Sequence, residues 1–101
     1  MFENAVYSIL SPEGFASILF KDTSKVKEVC ELMKMTSKDL LDYKIIDEII
    51  NEPLGGIKYL DDKFIECLKE KLIDKINELS KLSTSKLLEN RYQKYRGIGA
   101  I

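Results

Sequence analysis

Glu3-Asn4-Ala5-Val6-Tyr7-Ser8-Ile9-Leu10-Ser11-Pro12-Glu13-Gly14-Phe15-Ala16-Ser17-Ile18-Leu19 is the stretch on which the reading of the fold turns. Ala5 to Leu10 is rich in β-formers with imperfect alternation, which predicts a strand covered on both faces. A helix start follows at once. Ser11 suits the N-cap, Pro12 the first helical position, and Glu13 the positive end of the helix. Gly14 stands in a first turn where a side chain would be tolerated, so its presence points to close approach of another backbone or a ligand. The helix is expected to reach Phe20 or Lys21. A strand feeding a helix makes the expected class α/β, mostly helical, with one or two short strands.

Working outward, Asp22-Thr23-Ser24 offers caps for a second helix, with Val26, Val29, Cys30 and Met33 on an i, i+3, i+4, i+7 stripe. That stripe predicts Cys30 as a small core hydrophobe, and Cys67 is expected to pack likewise beside Phe64 and Leu68. A short third helix should begin at Thr36 or Ser37. Ile45 to Ile50 reads as a short strand or buried turn, and Asn51-Glu52-Pro53-Leu54-Gly55-Gly56 breaks regular structure. From Asp61 or Asp62 to about Leu82 the period is helical: Phe64, Leu68, Leu72, Ile76 and Leu79 line one stripe, widened by Ile65, Ile73 and Leu82. Such a helix needs a partner surface. Ser83, Thr84 or Ser85 caps a last helix through Tyr95, stopped by Gly97 and Gly99.

Composition removes many functions. The 101 residues carry 16 Lys+Arg against 17 Asp+Glu, for a formal charge of -1, so there is no basic footprint for nucleic acid. No uncharged run approaches the ~20 residues that span a bilayer, and Met1-Phe2-Glu3-Asn4 does not open a signal peptide. The expectation is a soluble, cytoplasmic chain. The absence of histidine excludes a Ser-His or Cys-His pair and any His-bearing zinc site within these residues. Two cysteines this far apart make no metal motif, so no metal ligand and no catalytic residue is assigned.

The residues themselves carry a resemblance. The Tyr7-Ser8, Ser11-Pro12-Glu13-Gly14 and Ala16-Ser17-Ile18-Leu19 series resembles the carboxyltransferase α subunit of bacterial acetyl-CoA carboxylase. So does Ile46-Asp47-Glu48-Ile49-Ile50-Asn51-Glu52-Pro53-Leu54-Gly55-Gly56, and the likeness continues through Leu82-Ser83-Thr84 and Leu88 to Arg91-Tyr92. It departs at Ile57-Lys58-Tyr59-Leu60, where the family pattern is small and includes a histidine. The resemblance implies the C-terminal portion of a crotonase-like fold, with residues 1–56 in its core and 57–101 as C-terminal helices. It implies transfer of a carboxyl group from carboxybiotin to acetyl-CoA, giving malonyl-CoA for fatty-acid synthesis. Backbone amides can stabilise the enolate and ureido charges without a histidine. The glycine-rich turns that supply those amides precede this segment in the family pattern, so these residues alone should be inactive.

The same resemblance implies that biotin on a carrier protein and CoA serve the whole enzyme, with no cofactor bound by this segment. Implied partners are the remainder of the α subunit, the carboxyltransferase β subunit and the biotin carboxyl carrier protein, with no nucleic acid and no membrane. Ser11, Pro12, Glu13 and Gly14 are the candidate edge of the biotin pocket, although the same residues would also simply start and pack a helix. Glu3 lies near the place of a hydratase general acid/base in the wider superfamily, which makes an enoyl-CoA hydratase-like fragment the rival enzyme reading. A solvated or salt-bridged Glu3 is the favoured one. A free-standing helical interaction module is the non-enzymatic rival. Arg91, Lys94 and Arg96 with Tyr92 and Tyr95 suggest CoA phosphates or nucleic acid at first sight, but three cations partly offset by Glu89 suit docking better. An unpaired strand from Ala5 to Leu10 and a long apolar stripe together predict self-association.

Overall fold

The computed structural model describes residues 1–57 and 61–100. They form two compact units, Met1–Ile49 and Ile50–Ile101. In the first, α1 spans Pro12–Phe20, a single 3-10 turn spans Thr23–Lys25, α2 spans Val26–Met33 and α3 spans Ser37–Asp42. Helix α1 packs on the 3-10 turn and on α2. The core of this unit is Ala16 on α1, Val29 on α2, Leu40 on α3 and Ile46 just beyond, with the Ser37 hydroxyl buried among them. That hydroxyl donates to the Glu3 carbonyl at 2.6 Å, which satisfies it and ties the N-terminal segment to α3.

The start of each helix follows from local chemistry. Asp22 Oδ1 accepts the Ser24 N–H at 2.9 Å and the Ser24 hydroxyl at 2.7 Å, opening the 3-10 turn. Helix α3 is capped by Thr36, whose Oγ1 accepts the Asp39 N–H at 3.3 Å while its hydroxyl donates to the Asp39 carboxylate at 2.6 Å. The hydroxyl bond in turn holds that carboxyl below the usual aspartate range. Lys21 and Lys34, which end α1 and α2, and Lys44 just past α3 all sit in the left-handed region, with φ of 53°, 48° and 58°.

The expected strand from Ala5 to Leu10 does not form. Val6 makes one antiparallel bridge with Thr36, and the Tyr7 N–H donates to the Met35 carbonyl at 3.2 Å. Ser8 then bends the chain. Its hydroxyl donates to the Leu10 carbonyl and accepts the Leu10 N–H, so local side-chain bonds replace a ladder. Ile9 is 97% exposed. Residues 45–50 take the buried-turn alternative: the Ile45 and Ile46 amides both donate to the Leu40 carbonyl, at 2.9 and 3.3 Å, and fold Ile46 inward. Among the described residues there is no strand, and the architecture is helical.

In the second unit, Gly55 and Gly56 take φ of 87° and 82°, and the Gly56 N–H closes on the Pro53 carbonyl at 2.9 Å. Helix α4 spans Asp62–Ser80, capped by Asp61 through the Lys63 N–H at 2.9 Å. Helix α5 spans Thr84–Gly97, capped by Ser83 through the Lys86 N–H at 3.2 Å. Both match their expected spans. Phe64, Leu68, Leu82 and Leu87 are half-buried, and no residue of either helix is fully buried. The two helices do not pack along each other. Positions 58–60 of the divergent Ile57-Lys58-Tyr59-Leu60 stretch lie outside the described residues.

Both cysteines correct the sequence reading, since Cys30 and Cys67 are exposed. On α2 only Val29 is fully buried, with Val26 and Met33 half-buried. An eight-residue helix leaning on one neighbour buries a narrow stripe, and Cys30, one step around from Val29, falls outside it.

Candidate functional site

Ser11, Pro12, Glu13 and Gly14 form the first turn of α1, each in its expected helix-start role. Ser11 is extended at φ -70° and ψ 156°, and its Oγ accepts the Gly14 N–H at 3.1 Å. The Phe15 N–H goes to the Ser11 carbonyl at 3.0 Å. Pro12 has no N–H to give. The Glu13 amide is therefore the one first-turn donor outside these bonds, and it belongs to a residue with an exposed carboxylate. A single amide beside a negative charge does not make a cradle for an oxyanion, which needs convergent donors. What the turn offers a neighbour is shape: an exposed serine hydroxyl, a proline ring and a missing side chain.

Gly14 needs no other element of the chain to explain its space. A Cβ there would meet Leu10 Cδ1 and Ser11 Oγ at 3.4 Å, both within the same turn. That is ordinary contact, so packing inside this chain does not demand a glycine. The close approach expected from the sequence finds no partner among the described residues of the first unit.

Glu3 lies in an exposed turn, not on a strand leading into α1, and its backbone carbonyl receives the Ser37 hydroxyl. This placement goes against the hydratase reading, in which its carboxyl would serve as acid/base from a strand. On α5, Arg91 stacks over the Tyr95 ring at 5.1 Å. Leu88, Arg91, Tyr92, Tyr95 and Arg96 line a shallow, open cup on one side of that helix. Among the described residues no group of three His, Cys, Asp or Glu side chains could hold a metal ion. Nor, among the described residues, is any helix long and apolar enough to cross a membrane.

Sequence reasoning missed the reciprocal Thr36/Asp39 cap, although the signal was present. Thr36-Ser37-Lys38-Asp39 sets a hydroxyl and a carboxylate three residues apart at a helix start, and here the carboxylate accepts the Thr36 hydroxyl while that oxygen accepts the Asp39 N–H. The buried Ser37 hydroxyl carried no such signal, because its acceptor is a carbonyl 34 residues away.

Comparison with known proteins extends these observations. Residues 1–99 match the family described as acetyl co-enzyme A carboxylase carboxyltransferase-like. The chain is 48% identical over 101 residues to the acetyl-coenzyme A carboxylase carboxyl transferase subunit alpha of Clostridium botulinum, covering 100% of this chain and 37% of the relative. It is 52% identical over 99 residues to the subunit of that name from Clostridium acetobutylicum, covering 98% and 36%. Against the carboxyl transferase subunits beta/alpha of Natranaerobius thermophilus it is 48% identical over 99 residues, covering 98% of this chain and 16% of the relative. The chain thus spans 37% of the first of these relatives. With nearly every residue aligned at about half identity, the chain belongs to the acetyl co-enzyme A carboxylase carboxyltransferase-like family.

Proposed function

We propose that this chain acts as part of a carboxyltransferase that moves the carboxyl group of carboxybiotin to acetyl-CoA, giving malonyl-CoA for fatty-acid synthesis. The observation that carries the reading is the match over residues 1–99 at 48–52% identity to α subunits of that name. In this reading residues 1–56 contribute to a crotonase-like core and 57–101 to its C-terminal helices. The β subunit is a partner, supported by the relative whose name joins beta and alpha in one chain. The remainder of an α subunit and a biotin-bearing carrier complete the assembly in the cytoplasm, and biotin and CoA are held by that whole.

The Ser11-Pro12-Glu13-Gly14 turn borders the carboxyl-donor side in this proposal. Its contribution is steric, because only the Glu13 amide is unused by the turn's own bonds and the Glu13 carboxylate repels an anion. The chemistry of the step is proton-light: enolate and ureido charge must be met by amide donors placed elsewhere in the assembly. The 101-residue chain by itself is therefore inactive. Malonyl-CoA formation assayed with β subunit and carboxylated carrier should stay at the blank with this chain as the sole α component. It should appear when residues equivalent to the rest of a relative's α subunit are supplied. Turnover by the chain and β subunit alone would overturn the proposal.

A further inference from the structure

We draw no further inference here: the strongest candidate, the exposed aliphatic face of α4 along Ile65, Leu72, Ile76 and Leu79, carries nothing because nothing in the structure shows what covers it.

Discussion

Gly14 separates what this chain needs from what an assembly needs. It occupies the third position of α1 with helical backbone and room for a methyl group. Alanine there should raise the stability of the isolated chain by about 0.5–1 kcal/mol, through lower unfolded-state entropy and better helix propensity. If the turn borders the carboxyl-donor side, the same Gly14→Ala change should lower malonyl-CoA formation in the complete enzyme while the melting temperature rises. Thermal melts of the chain paired with turnover of the assembled enzyme check both arms. An activity unchanged beside a raised melting temperature would remove the turn from the pocket. Most of this turn was legible from Ser11, Pro12 and Glu13, because capping is a matter between residues three apart. The exposure of Cys30 was not, since a helical stripe says which residues share a side but not how wide a neighbour covers it.

Among the elements, α3 shows how strongly a short helix depends on its cap. It has six residues, too few for propensity to sustain it, and Thr36 and Asp39 satisfy each other at its start. Thr36→Ala should cost about 1 kcal/mol in the unfolding free energy. The pH dependence has a definite sign. The Thr36 hydroxyl depresses the Asp39 carboxyl in the folded chain, so its contribution is fully present above the unfolded aspartate value. It is lost as pH falls through the lower folded value. The Ser24 hydroxyl and amide depress Asp22 in the same sense at the 3-10 turn. Helicity at 222 nm should fall on acidification in that window, and Thr36→Ala with Asp22→Asn should flatten the limb. An unaltered acid limb in the double variant would exclude both caps as its cause. Helices α4 and α5 were legible nearly to the residue because a 3.6-residue period over many turns has no competing reading. The segment Ala5–Leu10 was not. β-propensity describes fit to a neighbouring strand, and here the neighbour supplies a single bridge at Thr36 before the Ser8 hydroxyl turns the backbone away.

At the scale of the whole molecule, family membership was readable from runs of side chains that composition alone could not distinguish from any small helical domain. The β-layers of the crotonase-like core implied by those runs do not appear among the described residues, whose elements are helical. The reason is physical: a sheet is a property of several strands, and one β-rich hexapeptide cannot express it. Among the described residues the buried apolar side chains are Ala16, Val29, Leu40 and Ile46, and so small a core has a thermal consequence. Unfolding changes heat capacity chiefly by wetting apolar surface, and a well-packed domain of 100 residues shows about 1.2–1.5 kcal/mol/K. With so little apolar surface to wet, calorimetry on this chain should give a clearly smaller step, and a value in that range would contradict the sparse core. A small step flattens the curve of stability against temperature, so cooling should cost this protein little of its structure. The same sparse core gives a small unfolding enthalpy, so warming should dissolve it gradually, over tens of degrees, with a low, broad heat-absorption peak.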